Sequence, residues 1–222
     1  MATTIYSGSN DGYCLKSGTN WVTVRDADTG SSVNSSLGSY NYAIRASVAA
    51  GRGGTNYAIA RTFLEFDVSG ITHVPQRGQL RVYGNVYSYA DVVAVKSNQS
   101  ASLATSDFDA IEGWDGSSAD GSGAGSNSGN VTIYGSVISS WSTTGYNDFT
   151  LSQQALVDIA GLSTFKVCLI EEDADLRDIT PVSPWGPLNY AGVRFSEYSG
   201  TSSDPKLVIV EQDNSVFVGC NF

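Results

Sequence analysis

The sequence predicts an all-β protein, a sandwich or barrel, and three observations carry that expectation. Short apolar runs recur between turn residues along the 222-residue chain, with 24 glycines and only 15% charged residues. Within Arg61–Val68, Leu64, Phe66 and Val68 fall on one face of an extended chain and Glu65 and Asp67 on the other. That period of two marks a strand with one face in a core and one in water. Long helical patterns are nearly absent. A single domain of this length buries roughly 70% of the surface its unfolded chain exposes, so it requires no metal or disulfide staple.

In chain order, Thr3–Ser7 and Tyr13–Lys16 are short strands flanking the turn-rich Gly8–Gly12, and Trp21–Val24 reads as another. Asp26–Ser39 is polar and reads as a surface loop. Tyr42, Ile44, Ala46 and Val48 alternate again. The glycines of Ala50–Asn56 make a hairpin tip feeding Tyr57–Val68. Val68–Ile71 interrupts the strand and Gln79–Tyr83 resumes the alternation, which predicts that these two arms form a central hairpin. Val92–Lys96 is a further strand. Asp115–Asn130, almost entirely Gly, Ser, Asp, Asn and Ala, buries too little to offset its ordering entropy. It reads as a long loop within one domain, with a domain linker as the alternative.

Val131–Ile138 is mixed, and Trp141 is expected to plug one end of the core. One helix follows. Thr150 and Gln153 have capping-box spacing, Ser152 is a competing N-cap, Ala155, Leu156 and Ile159 share a face, and Gly161 supplies the stop. Phe165–Ile170 is a continuous apolar run, expected of a strand buried on both faces. Val193–Phe195, Lys206–Glu211 and Val216–Val218 supply the last strands.

The composition excludes some functions. A formal net charge of -10 repels phosphate backbones and argues against nucleic acid as a partner. No apolar stretch approaches the ~20 residues of a membrane span. The N-terminus lacks the basic and apolar regions of a signal peptide, and Cys14, Cys168 and Cys220 are an odd set without metal-ligand spacing. Free thiols and cytoplasmic synthesis are the expectation.

Candidate sites are few. His73, the sole histidine, reads as a loop residue rather than a catalytic base, and no G-x-S-x-G elbow accompanies it. Several carboxylates could serve a glycosidase, but nothing in the sequence sets two across a cleft. Glu171-Glu-Asp-Ala-Asp175 with Asp178 offers oxygen ligands for Ca²⁺, with Asp173 and Asp175 at its centre; a solvated strand end is the preferred reading. Trp185 and Tyr190 could make a sugar platform, against an aromatic plug as the preferred reading. Gly51–Gly54 lacks the Lys-Ser/Thr of a phosphate loop. Catalytic, cofactor and metal residues are therefore assigned to none.

Thr62-Phe-Leu-Glu-Phe-Asp-Val-Ser-Gly-Ile71 followed by Leu80-Arg-Val-Tyr83 resembles the opening of DNRLRE-type β-sandwich domains. Asp148-Phe-Thr150, Phe195-Ser-Glu-Tyr198 and Asp204-Pro-Lys-Leu-Val-Ile-Val210 match later landmarks of that family. The resemblance implies a jelly-roll-like antiparallel β-sandwich with one short helix and long loops, of the kind found in carbohydrate-binding modules and structural proteins. Asp11-Gly-Tyr13, Trp21-Val-Thr-Val-Arg25 and Ala27-Asp-Thr-Gly30 are similar to the starts of virion proteins of tailed bacteriophages.

Together these imply one domain over 1–222, with N-terminal strands and loops (1–56), a family-like core (57–211) and an apolar tail (212–222). The function expected is that of a non-enzymatic virion protein: a capsid decoration, head fibre or tail accessory that contacts other virion proteins. A carbohydrate-binding adhesion module, helped by Ca²⁺ and directed at host or mucus glycans, is the alternative. Val216, Phe217, Val218 and Phe222 in the tail must cover this domain or a neighbour, so a homo-oligomer is expected.

Overall fold

Leu64, Phe66 and Val68 are buried and Asp67 is exposed, as their alternation requires. The computed structural model describes residues 1–51, 54–116, 129–182 and 188–211. The strand carrying this alternation is β5 (Gly54–Asp67), and it follows β1 (Ala2–Tyr6), β2 (Gly12–Gly18), helix α1 (Trp21–Arg25), β3 (Ser32–Asn34) and β4 (Ser39–Gly51). Beyond it come β6 (Arg77–Ser88), β7 (Val92–Lys96), a 3-10 turn (Thr105–Asp107), β8 (Ile133–Ile138) and β9 (Tyr146–Thr150). Then follow α2 (Gln153–Gly161), β10 (Thr164–Glu171), a π-helical turn (Glu172–Leu176), β11 (Asn189–Arg194) and β12 (Lys206–Val210).

Among the described residues every strand-to-strand ladder is antiparallel, and the architecture is an all-β sandwich. Phe63 of β5 aligns with both Gly12 of β2 and Cys168 of β10, so those strands occupy opposite edges of β5. Ala60 aligns with both Leu15 of β2 and Arg45 of β4. β4 and β10 therefore follow one another along one edge. The β4–β5 hairpin closes at Gly51 and Gly54 as the glycines predict, and Gly54, at φ 105°, holds a conformation that side-chain-bearing residues avoid. Arg52 and Gly53 lie outside the described residues.

The predicted hairpin between β5 and the Gln79–Tyr83 arm does not form. β6 pairs with β12, β9 and β11, and the chain between β5 and β6 crosses the core to the facing layer. Alternation identifies a strand and the side it buries, but not its partner. Leu80 and Val82 of β6 meet Leu64 and Phe66 across the core together with Phe149, Leu207 and Ile209. β6 also joins the layers: Arg77–Tyr83 pairs with β12 and β9, while Gly84 and Tyr87 align with β11. At the change, a Cβ on Gly84 would stand 2.0 Å from the Ser142 carbonyl oxygen, so glycine alone fits. Trp141 plugs this end as expected, its Nε1 donating to the Gly192 carbonyl at 3.2 Å.

Trp21–Val24 is a helix rather than a strand. The Asn20 side chain accepts from Thr23 N at 2.9 Å, capping α1, whose Trp21, Val24 and Arg25 are buried. A four-residue run satisfies both periods, because i, i+3 and i+4 share a helical face. α2 has the predicted extent and buried face (Ala155, Leu156, Ile159), with Ser152 as its cap, since Thr150 belongs to β9. β10 is buried on both faces as predicted: Phe165, Val167 and Leu169 enter the main core, and Cys168 and Ile170 a second cluster. Residues 117–128 of the long loop and the whole tail 212–222 lie outside the described residues.

That second cluster occupies the opposite face of β5 and β10 and contains Trp21, Val24, Ile59, Phe63 and Phe108. Between Ile59 and Phe63, on the same side of the strand, stands Arg61, which is fully buried. Its Nε and Nη2 donate to the Asp175 carboxylate at 2.9 and 2.8 Å, Nη1 to Phe108 O at 2.8 Å, and Nη2 to Arg25 O at 3.0 Å. The guanidinium also lies 4.3 Å from the Phe108 ring and 4.2 Å from the Trp114 ring. Arg25, equally buried, donates to Asp175 O and to Asp26, while Trp21 Nε1 donates to Asp178. One buried polar node thus binds β5 to α1, the 3-10 turn and the π-helical turn.

Arg61→Met leaves Asp175 buried without its counter-ion and is expected to cost ~3–5 kcal/mol in urea unfolding. The double substitution Arg61→Met, Asp175→Leu removes both charges and is expected to cost less than the single one.

Candidate binding face

The residues singled out in the sequence scatter. His73 is exposed, its Nδ1 2.9 Å from Thr72 Oγ1. Cys14 and Cys168 are buried free thiols; burial pushes Cys14 up to about 12 and Cys168 well above its ordinary value. Neither is a thiolate near neutral pH. Cys220 and Trp185 lie outside the described residues. Tyr190 faces Tyr42, ring centroids 4.8 Å apart, at the end of a tyrosine row that continues through Tyr40 to Tyr13.

The acidic run is not a solvated strand end. Asp175 and Asp178 are fully buried in the arginine node, and Glu171 caps the π-helical turn by accepting from Ala174 N at 2.6 Å. A run so rich in carboxylates reads as surface until the arginines that face it are known. Asp175 is consequently not free for Ca²⁺. Among the described residues, the carboxylates spaced to share a cation are Asp91, Glu172 and Asp173, whose oxygens fall within 4.8 Å of one another. Arg177 already stands 3.8 Å from Glu172 and 3.5 Å from Asp173.

A polar cleft of about 420 Å³ is lined by Lys96, Glu112, Tyr134 and Lys166 among others. Lys96 Nζ is 3.0 Å from Glu112 and 3.1 Å from Asp158, and Tyr134 donates to Asp158. Burial acts to lower the Lys96 pKa, but its bonds to both carboxylates hold it above the usual value. Burial acts to raise Asp158, yet Tyr134, Lys96 and Gln154 hold it below its own. Both groups stay ionised across neutral pH, and neither is poised for proton transfer there.

An array of accessible cations and tyrosine rings lies on the outer face of β1, β12, β6 and β9. Inward phases are apolar (Leu207 and Ile209; Leu80 and Val82; Phe149), so Tyr6, Lys206, Arg81, Tyr83, Tyr146 and Asp148 point outward. Register aligns Tyr6 with Lys206, Lys206 with Arg81, Arg81 with Asp148, and Tyr83 with Tyr146. Cations and rings interleave. Lys206 Nζ lies 4.1 Å from the Tyr146 ring centroid and 5.8 Å from that of Tyr6, and Arg81 lies 5.0 Å from Tyr146. Arg194 of β11 lies 4.5 Å from the Tyr83 ring and 4.2 Å from the Tyr198 ring. Arg81 is paired with Asp148 at 2.7 Å. Among the described residues neither Arg194 nor Lys206 has a carboxylate partner within salt-bridge distance. Such a surface can hold anions by charge and apolar groups by ring area. The alternating sequences of β6 and β12 marked these side chains as outward, but only the strand order brings them onto one face.

The segment bearing Tyr198 is anchored by Asp11, whose fully buried carboxylate accepts from Ser7 Oγ at 2.7 Å and from Ser196 N and Oγ at 3.0 Å each. Asp11 thereby locks the β1–β2 turn to the chain beyond β11.

No protein-family model matches the chain, and no curated protein matches it either.

Burial raises Asp11 to about 7 against the opposing bonds from Ser7 and Ser196, and raises Glu171 to about 8. The folded protein therefore binds more protons than the unfolded chain between about pH 4 and pH 8, and this contribution to stability is lost as pH rises through that window. The melting temperature is expected to fall from pH 5 to pH 8.5, and Asp11→Asn with Glu171→Gln to flatten the fall.

Proposed function

We propose that this chain is a non-enzymatic structural protein of a tailed-phage virion, a capsid decoration, head fibre or tail accessory made in the host cytoplasm. It works through protein–protein contacts. The observation that carries the reading is the aromatic–cationic face: its side chains stand on hydrogen-bonded strands, which suits docking to a fixed neighbour. The similarity of Asp11-Gly-Tyr13 and Trp21–Arg25 to virion proteins supports it. These residues now have structural work, Asp11 in its serine lock and Trp21 and Arg25 in the buried node.

A carbohydrate-binding adhesion module is the second reading, favoured by the Tyr42–Tyr190 pair on the other layer, with Arg45 5.2 Å from the Tyr42 ring.

The test is mass spectrometry of particles purified from a lysate in which this protein is made. The chain is expected to remain, at a fixed ratio to the major capsid protein, after a high-salt wash. Its presence only in the free protein fraction would overturn the virion reading.

A further inference from the structure

Resting on that reading, we propose that the outer face of β1, β12, β6 and β9 is a receptor for carboxylate side chains on an acidic protein surface, with Arg194 and Lys206 as its anchors. The chain carries 22 acidic residues against 12 basic ones, yet this face gathers Arg77, Arg81, Arg194 and Lys206. Asp148 pairs with Arg81, and the buried Asp204 lies within electrostatic reach of Lys206, so among the described residues four cations on this face meet two carboxylates. Local charge is thus opposite in sign to that of the whole molecule, and the complementary partner is acidic.

The rings explain why the anchors are preorganised. Tyr83 and Tyr198 lie 4.5 and 4.2 Å from the Arg194 carbon, which fixes the guanidinium plane and leaves its forked N–H edge to donate to both oxygens of a carboxylate. Tyr146, 4.1 Å from Lys206 and tied by its hydroxyl to the Ser202 and Asp204 carbonyls at 2.9 and 3.1 Å, fixes the ammonium. The same stacking argues against a sugar. The ring faces of Tyr83 and Tyr146 that would lie on a pyranose are already covered by cations, whereas carboxylates need only the N–H edges.

The experiment measures binding of poly-L-glutamate to the full chain by interferometry at physiological salt, beside polygalacturonate as a carboxylate polymer without a peptide. Poly-L-glutamate is expected to bind, more tightly than polygalacturonate, and to weaken with added salt. Arg194→Ala and Lys206→Ala are each expected to weaken it about tenfold. Arg194→Lys keeps the charge but loses the fork, and is expected to fall between wild type and Arg194→Ala. Arg45→Ala, on the other tyrosine cluster, is expected to change nothing. Melting curves confirm that each variant is folded.

Self-association that Arg194→Ala abolishes would identify the acidic surface as a second copy of this chain and support the proposal. Absence of binding, equal binding by Arg194→Ala, or preference for polygalacturonate would overturn it. The two readings fail separately. A chain missing from washed particles defeats the virion reading alone, while a chain present on particles that ignores poly-L-glutamate defeats only this one.

Discussion

The fully buried pair of Arg61 and Asp175 is the constraint on which the irregular layer of the structure depends. A guanidinium placed between Ile59 and Phe63 is tolerable only when its donors are met, and meeting them requires three remote segments at once. The π-helical turn supplies the carboxylate, the 3-10 turn supplies the Phe108 carbonyl and ring, and α1 supplies the Arg25 carbonyl. A purely apolar cluster would accept many arrangements of these short pieces. Directional bonds to one cation accept few, which is how a chain with little helix fixes its irregular layer.

The second cluster covers one face of β5 and β10, and their other face builds the main core with β6, β9 and β12. The main core in turn holds the outer strands carrying Arg81, Tyr83, Tyr146 and Lys206. Those side chains bend into cation–ring contacts instead of wandering in solvent, and Asp11 holds the loop of Tyr198 beside them. Binding to such a surface immobilises fewer free rotors than binding to an exposed loop.

Much of this was legible in the sequence, within limits set by the range of the physics. Local patterns gave β5, β7, β10, the β4–β5 hairpin and α2, because side-chain period and capping are properties of a few neighbouring residues. The partner of β6 was not legible, since pairing is decided by distant strands. Trp21–Val24 was too short for its period to separate helix from strand. Arg61 did leave a signal: it occupies the apolar phase of a buried strand, two residues from Phe63, and a cation there requires a buried acid. Asp175 left none, because an acid in an acidic run looks like surface until its cation is placed. The binding face was legible side chain by side chain as outward residues of β6, β9 and β12, but its assembly depended on strand order.

Hydrogen exchange on Arg61→Met tests most directly whether the buried node holds the irregular layer together. The account predicts that 21–26, 105–116 and 171–178 lose protection together, while β6, β9 and β12 keep theirs. Equal loss across all strands, or loss confined to β5, would contradict it.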